Sequence, residues 1–286
     1  MATNQMRREA AKRKLASQQE RRAEQAKRRK QIAVITSAVV VVVVVVGVVL
    51  LSTLGGSSSD TTSAAADTTA PAAAGTAPEQ IPTEITPVPA RPTALPASVS
   101  CEYPADGQAA KPAQAPPAAD VSTQGTAGVT LQTNTGAIPM TLDRALAPCT
   151  VNSFVSLAQQ GYFDDTSCHR LTTSPGLQVL QCGDPTGSGS GGPGYSFADE
   201  TFPELTYGRG LLAMANAGPD TNGSQFFMIY GDAQLPADYT VFGSISPEGL
   251  QVVDEIARVG HDGSLDPSPG GGKPAQPVTI ESATVS

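Results

Sequence analysis

The sequence contains no tryptophan, and only 5% of its residues are aromatic. It has two histidines and four cysteines, while 24 prolines and 28 glycines are spread over 286 residues. Because aromatic side chains supply much of the packing of a protein core, this composition excludes one globular body over the full length. It indicates a chain that is only partly built around a packed core.

Basic residues are scarce everywhere except at the N-terminus. Residues 1–30 hold 11 Lys and Arg against three Asp and Glu, residues 31–120 hold two against seven, and residues 121–286 hold five against 16. The formal net charge is −8. Nucleic-acid binding needs a clustered basic surface, so we expect no nucleic-acid partner. The basic block, residues 1–31, is interpreted as a cytoplasmic arm.

Residues 32–54 contain no charged residue and include a run of eight valines at 39–46. This length can cross a bilayer as one helix. The alternatives are a buried core element and a cleaved signal peptide, but the stretch exceeds a normal signal core and residues 52–56 offer no convincing cleavage site. We therefore predict an uncleaved transmembrane helix, with the arm in the cytoplasm and the rest of the chain outside the membrane.

Residues 55–120 are rich in Ala, Thr, Ser and Pro and poor in large apolar side chains. Such a segment cannot bury enough surface to offset the entropy of ordering. The composition predicts a disordered linker, interrupted by a short island at Cys101.

Residues 121–286 alternate in hydrophobicity like a β protein. A hairpin is predicted around residues 134–136, one helix from Pro148 to Gly161, and a second from Ser246 to Gly260. Two helices among many short antiparallel strands indicate a closed β-barrel with helices covering its ends.

All four cysteines follow the predicted membrane helix, on its oxidising side, where an even number favours disulfides. Spacing alone permits three pairings. Cys168 and Cys182 flank an apparent hairpin, which favours this pair and leaves Cys101 with Cys149; free thiols are the alternative. A metal site is disfavoured, since there is no C-x-x-C motif and the two histidines lie far apart in sequence.

Two known functional motifs, G-x-G-x-x-G and G-x-S-x-G, are not supported by the sequence around their candidate residues. The glycine-rich stretch at 187–192 formally matches G-x-G-x-x-G, but no helix follows and no phosphate-binding lysine is present, so it is interpreted as a surface loop. Ser224 does not lie in a G-x-S-x-G motif, and no histidine partner is evident. Neither dinucleotide binding nor hydrolysis by a serine nucleophile is supported.

Two blocks are far more specific: CHRLTTSPGLQVLQCGDPTGSGSGGPGYSFADE at 168–200 and GLLAMANAGPDTNGSQFFMIYG at 210–231. With LPADYTVFG at 235–243, they resemble the cyclophilin family of peptidyl-prolyl isomerases from about residue 129 to the C-terminus. The anchored arrangement is most similar to actinobacterial extracytoplasmic cyclophilins. The resemblance implies an eight-stranded antiparallel barrel capped by two helices, and an isomerase that uses no cofactor.

The resemblance also implies roles for individual residues. The catalytic set is Arg170, Gln181 and Phe227, the last being the aromatic floor of the proline pocket. In isolation, Arg170 would more often be a surface ion-pair partner and Phe227 a core residue; the surrounding motifs favour the site. The residues expected to bind substrate are Val179, Ala215, Asn216, Gln225, Leu235 and Tyr239.

The rim of the expected pocket departs from the family pattern. The stretch between Arg170 and Gln181 is about three residues longer than the common form, so Leu177 or Gln178 replaces the usual phenylalanine. Gln234 stands where tryptophan is frequent, and Tyr239 where histidine is frequent. Affinity for cyclosporin, which the family would otherwise imply, is therefore not carried over.

Rotation about an X–Pro bond passes through a twisted amide, against a barrier of roughly 18–20 kcal/mol. An apolar slot for the proline ring and a fixed cation near the prolyl nitrogen would lower it. We expect an isomerase, with a chaperone role, acting on proline-containing segments of client proteins that fold outside the membrane. The alternatives are a proline-peptide-binding chaperone or scaffold with little turnover, and a structural part of an envelope complex.

Overall fold

The computed structural model describes residues 76–286. The predicted arm at 1–31, the membrane helix at 32–54 and the first part of the linker lie outside the described residues. Within the described range, neither helix combines the length and apolarity needed to cross a membrane. The elements are β1 Ser98–Val99, β2 Val121–Ser122, β3 Thr126–Thr133, β4 Gly136–Asp143, α1 Pro148–Gln159, β5 Thr166–Ser167, β6 Arg170–Ser174, β7 Leu177–Cys182, β8 Leu211–Met214, β9 Phe226–Ala233, β10 Val241–Ile245, α2 Pro247–Val259 and β11 Thr279–Val285.

The domain is mostly β, and its main element is a curled antiparallel sheet of nine strands. The strand order is β5-β11-β3-β4-β10-β8-β9-β7-β6. The predicted hairpin is confirmed: β3 pairs with β4 from Thr126 opposite Asp143 to Thr133 opposite Gly136. Side chains of β3 alternate between the buried face and the outer face, as expected for a sheet with one face on the core.

The expected closed eight-stranded barrel is wrong in closure and in strand number. The outermost strands, β5 and β6, are not paired with each other. Between them the chain changes partner: the amide of Cys168 donates to the carbonyl of Val278 at 2.9 Å, and the amide of His169 donates to the carbonyl of Gln181 at 3.0 Å. The hydrogen-bond ladder therefore ends at this switch, and the sheet is an open half-barrel.

Both predicted helices are confirmed. Pro148 opens α1, and Ser246 caps α2, its hydroxyl accepting from the amide of Gly249 at 3.1 Å. Helix α1 carries Phe154 into the core, where its ring lies 4.8 Å from that of Phe163 and 5.3 Å from that of Phe242. These rings form one of the aromatic clusters of the domain, in the core between α1 and the sheet.

Residues 76–120, here called the N-terminal strap, were expected to belong to a disordered linker, but in the structure they lie against the domain. Strand β1 pairs with β2, and Cys101 is bonded to Cys149. The guanidinium of Arg91 donates to the carbonyl of Leu146 at 2.7 Å and to that of Glu200 at 2.9 Å. An argument from apolar composition overlooks such polar and covalent contacts, and also the packing of the single Tyr103 ring 5.6 Å from Tyr195.

Candidate active site

One cavity, of about 700 Å³, collects eight of the nine residues assigned to the site from the sequence. It is lined by strands β6, β7 and β9 and by the loops around residues 215–216, 235–239 and 264–273. The ninth residue, Gln225, lines an adjoining cavity of about 540 Å³ that also borders on Gln181, Ala215 and Asn216. The eight residues of the main cavity are Arg170, Val179, Gln181, Ala215, Asn216, Phe227, Leu235 and Tyr239.

The pairing of three neighbouring strands places the three residues of the expected catalytic set in one row. On β6 and β7, Arg170 lies opposite Gln181, and on β7 and β9, Gln181 lies opposite Phe227. Residues directly opposite each other on one face of a sheet have neighbouring side chains. Register alone therefore brings a cation, an amide and an aromatic ring together, although they are far apart in sequence.

A chain of side-chain amides fixes the polar side of this row. The Nη1 of Arg170 donates to Oε1 of Gln181 at 3.2 Å, and Nε2 of Gln181 donates to Oε1 of Gln225 at 2.9 Å. The Nε2 of Gln225 then donates to the carbonyl of Gly191 at 3.0 Å. Each amide thus has its oxygen turned toward the arginine side, which sets the orientation of both glutamines.

Among residues 76–286, no carboxylate forms an ion pair with Arg170. Its Nε donates to the carbonyl of Gly270 at 3.0 Å and its Nη2 to that of Pro269 at 2.8 Å. In the described range both ion pairs are made elsewhere, by Arg209 and Arg258 with Asp254. Burial lowers the pKa of the Arg170 guanidinium, an effect that Tyr239 opposes. A guanidinium nevertheless remains protonated at physiological pH, so the site keeps a positive charge.

The apolar side of the cavity is built around Phe227. The ring of Tyr239 stands edge-on to it, with the centroids 5.7 Å apart and an interplanar angle of 77°. Tyr239 is held in turn by Tyr207, whose hydroxyl donates to the carbonyl of Tyr239 at 2.8 Å and accepts from its amide at 3.0 Å. Val179 and Leu235 complete an apolar wall. The cavity therefore has an apolar floor at Phe227 and a positive charge at its edge, at Arg170.

The structure resolves which residue replaces the family phenylalanine. Leu177, Val179 and Gln181 line the cavity, because alternate side chains of a strand point to the same face. Gln178 points to the other face, where its Nε2 donates to the carbonyl of Gln80 at 2.7 Å. Gln234 does not line the main cavity; its amide donates to the carbonyl of Gly176 at 2.7 Å.

Asn216 lines the cavity and joins two of its loops. Its Nδ2 donates to the carbonyl of Asp238 at 2.9 Å, which ties the 215–217 loop to the 235–239 loop. The expected contact of Asn216 with substrate backbone stays a prediction, as do the roles of the other residues.

Sequence reasoning missed part of the cavity lining. His169 was considered only in disfavouring a metal site, yet it borders the cavity and is buried, and neither ring nitrogen has a hydrogen-bond partner among the described residues. Burial lowers its pKa; nearby Asp184 raises it and Arg170 lowers it further. Four residues near the C-terminus also line the cavity, and their sequence is typical of an exposed loop: Ser264, Leu265, Pro269 and Lys273.

The glycine-rich loop after β7 is organised around one buried carboxylate. Asp184 accepts from the amides of Thr186, Gly189 and Ser190 at 2.7–3.0 Å. Burial would raise the pKa of Asp184, but hydrogen bonds from Gly191, Thr186 and Gly189 outweigh it and the pKa is lowered. The loop is thereby shaped into one border of both cavities.

Both favoured disulfides are confirmed. Cys168 is bonded to Cys182 and Cys101 to Cys149. The first bond joins β7 to the chain just before β6, close to the Arg170–Gln181 pair. It therefore fastens the end of the strand pair that carries the polar part of the site.

Comparison with known proteins places the chain in a family. The model of the family described as "Cyclophilin type peptidyl-prolyl cis-trans isomerase/CLD" matches residues 128–285, which is more than half of the chain. The chain therefore belongs to the cyclophilin-type peptidyl-prolyl cis-trans isomerase family.

Several curated relatives carry isomerase names. "Probable peptidyl-prolyl cis-trans isomerase B" of Mycobacterium tuberculosis is 52% identical over 197 residues, covering 64% of this chain and 63% of that protein. "Peptidyl-prolyl cis-trans isomerase A" of the same organism is 42% identical over 179 residues, covering 56% of this chain and 93% of that protein. The chain thus spans less than two thirds of the first relative.

Among solved structures, the chain is similar to a cyclophilin type peptidyl-prolyl cis-trans isomerase of Cryptosporidium parvum. The identity is 34% and the TM-score 0.47, with 57% of this chain and 98% of that chain covered. The same protein has also been solved in the presence of the dipeptide Ala-Pro. The TM-score to that structure is 0.46, and the match covers 56% of this chain and 98% of that chain.

Proposed function

We propose that this protein is a peptidyl-prolyl cis-trans isomerase that accelerates X–Pro rotation in proline-containing segments of client proteins. The observation that carries the proposal is the position of Arg170, an unpaired cation beside the apolar floor at Phe227. Family membership supports the reaction type, and the strand register supports the choice of residues. The reaction forms and breaks no covalent bond, so these side chains need only bind, orient and polarise.

The cavity suits the electronic change during rotation. As the amide twists, its resonance is lost and the lone pair localises on the prolyl nitrogen. A guanidinium has five N–H groups, and Arg170 uses three of them in hydrogen bonds to Gln181, Pro269 and Gly270. One N–H on each terminal nitrogen is left to donate to the substrate. A preorganised donor of this kind contributes about 10²- to 10³-fold in rate.

The apolar wall would hold the substrate during this change. Phe227, Val179 and Leu235 provide a surface on which a pyrrolidine ring can be buried, while Gln225 and Asn216 lie where the flanking backbone would pass. The adjoining cavity shares Gln181 with the main one. It is large enough to take the side chain of a residue near the proline.

The test is the isomerisation rate of a short Xaa-Pro peptide after a solvent jump, with the full chain purified in detergent. We expect the wild-type protein to accelerate the exchange and Arg170→Ala to lower kcat/KM by about 10²- to 10³-fold. If both proteins bind the peptide and neither accelerates exchange, the molecule is a proline-peptide-binding module instead.

We further propose that residues 32–54 anchor the protein in the cytoplasmic membrane, with residues 1–31 inside and the isomerase domain outside. The concentration of basic residues before the apolar stretch supports this orientation. The pairing of all four cysteines in disulfides also supports it, since disulfides persist in oxidising compartments. A membrane-impermeant amine reagent added to intact spheroplasts should label the exposed Lys273; labelling of Lys273 only after lysis would contradict the proposal.

A further inference from the structure

Two of the three hydrogen bonds that Arg170 makes go to a single loop. We call residues 262–273 the clamp loop. The carbonyls of Pro269 and Gly270 accept from Nη2 and Nε of the guanidinium, at 2.8 and 3.0 Å. These two carbonyls bind one edge of the planar guanidinium. The side-chain oxygen of Gln181 accepts a hydrogen bond from Nη1, at a different edge. A planar fork held at two edges has a defined orientation.

The shape of the clamp loop is fixed by contacts that do not involve Arg170. At its base, Oδ1 of Asp262 accepts from the amides of Ser264 and Lys273, both at 2.9 Å. Further along, the amide of Leu265 donates to the carbonyl of Gly271, and the amide of Gly270 donates to that of Leu265, both at 3.0 Å. The carbonyls are thus positioned before they meet the arginine.

The clamp loop is also attached to the strand that carries Arg170. Gly272 and Leu171 exchange two backbone hydrogen bonds, of 2.7 and 3.1 Å. A Cβ at Gly271 would lie 2.2 Å from the carbonyl oxygen of Leu171, so only glycine permits this approach. The residue next to Arg170 and the loop that holds its side chain therefore form one unit.

From these contacts we propose that the clamp loop is a positioning element, which holds the Arg170 guanidinium so that its two remaining N–H groups face the bound amide. The inference rests on the proposed isomerase function. A loop that merely competed with substrate would have to block the guanidinium, whereas here one N–H on each terminal nitrogen is left over. Misplacement of a reacting group by about 1 Å can cost on the order of 100-fold in rate.

The test removes both carbonyls and leaves the rest of the site in place. Replacing Asp266–Gly270 with Asn-Gly keeps Leu265 and Gly271, which are joined by the hydrogen bond from the Leu265 amide to the Gly271 carbonyl and would flank a two-residue turn. We expect kcat/KM to fall roughly 10- to 100-fold. Glu204→Ala serves as the control: it also removes one exposed acidic charge, it lines neither cavity, and it should leave the rate unchanged.

A double-mutant cycle separates positioning from general damage. If the loop acts through Arg170, shortening it in an Arg170→Ala background should have no further effect. A loss of equal size in both backgrounds would overturn the proposal, as would a shortened loop that is faster than wild type. The NMR signal of the Arg170 Nε–H gives a readout that needs no turnover. It should exchange slowly with solvent in the wild type and in Glu204→Ala, and rapidly in the short-loop variant.

The two proposals can fail separately. A wild-type protein without isomerase activity would refute the proposed function, and the Nε–H exchange would still decide whether the loop holds the guanidinium. Unchanged Nε–H exchange in the short-loop variant would refute the clamp even if the wild type is an active isomerase.

Discussion

Arg170 differs from Arg209 and Arg258 in what its side chain meets. Arg209 and Arg258 lie within 4.0 Å of the Asp254 carboxylate. In the described part of the chain, the Arg170 side chain donates its hydrogen bonds to two backbone carbonyls and to the amide oxygen of Gln181. These dipoles orient the guanidinium without cancelling its charge, which is the condition for polarising a substrate amide.

His169 provides a prediction about pH. It is buried, neither ring nitrogen has a partner, and burial lowers its pKa. Between the lowered pKa of the folded protein and the usual value of about 6.5, the unfolded chain binds a proton that the folded chain does not. The free energy of unfolding should therefore fall as the pH drops below about 6.5, and be unaffected by this group above that pH.

The measurement is urea unfolding at several pH values for the wild type and His169→Phe. The substitution should flatten the pH dependence of the free energy of unfolding between pH 5 and 7, because it removes the group that titrates there. The charged groups that act on His169 are Asp184 and Arg170, and an arginine stays protonated over this range. Asp184 titrates lower still, because its pKa is lowered. Equal slopes for the two proteins would contradict the account.

At the residue level, motifs predicted the site better than single side chains did. The sequence motifs around them predict the roles of Arg170, Gln181 and Phe227. Strand register brings the three residues together. Leu265 and Pro269 could not be found in this way. Their sequence predicts a loop, and no local pattern encodes a contact between a carbonyl and an arginine about 100 positions earlier.

At the scale of elements, the longer stretch between Arg170 and Gln181 is absorbed by the β6–β7 hairpin. Its pairs run from Arg170 opposite Gln181 to Ser174 opposite Leu177, with Pro175 and Gly176 at the turn. Added residues lengthen the hairpin at its tip and leave the pairing at its base intact. The departure from the family pattern therefore lies toward the tip of the hairpin and leaves Arg170, Gln181 and Phe227 in one row.

Helix α1 lacks a cap of its own and takes one from a distant loop. Its N-cap residue, Ala147, has no side-chain hydrogen bond. The carboxylate of Glu200 accepts from the amides of Cys149 and Thr150 at 3.0 and 2.8 Å. A carboxylate at a helix N-terminus satisfies free amides and complements the helix dipole.

This cap gives a prediction about stability. Glu200→Ala leaves two helix amides and the Thr150 hydroxyl without their acceptor, so it should lower the free energy of unfolding by about 1–2 kcal/mol. Urea denaturation measures the loss, with Glu204→Ala, an exposed residue in the same loop, as the control. A cap variant as stable as the control would show that the contact contributes nothing.

The elements divide clearly into those that sequence could predict and those it could not. The β3–β4 hairpin and both helices follow from local periodicity, turn residues and caps, so their bounds were predicted closely. The open edge of the sheet depends on a change of partner at Cys168 and His169. This change of hydrogen-bond partner involves residues far apart in sequence, so the local pattern of hydrophobic residues does not predict it.

For the molecule as a whole, the strap extends the folded region well before the family match begins at residue 128. It reaches the second cavity as well, which residues 106–108 help to line. Lys111 adds polar contacts: its Nζ donates to the carbonyls of Gly161 and Asp164 at 2.7 and 2.8 Å. The strap is therefore part of the folded domain, although its composition is typical of a disordered linker.

The Cys101–Cys149 bond should be the main fastening of the strap. It closes a longer stretch than Cys168–Cys182, with a sequence separation of 48 against 14. On a chain-entropy basis, replacing both partners by serine should cost about 4 kcal/mol for the first pair and about 3 kcal/mol for the second. Urea unfolding gives the two losses.

Limited proteolysis adds a spatial readout. Loss of the first pair should make residues 76–120 susceptible to cleavage while residues 121–286 stay resistant. Equal protection of the strap with and without the disulfide would mean that its hydrogen bonds suffice to hold it.

The central claim is that the Arg170 guanidinium lowers the barrier to rotation of a proline amide that lies on Phe227. The most direct measurement is the cis–trans exchange rate of a saturating Xaa-Pro peptide by NMR, with wild type and Arg170→Ala compared at equal occupancy. Exchange should be fast on the wild type and at least about 100-fold slower on the variant, with similar peptide affinity. Equal exchange rates on the two proteins would contradict it.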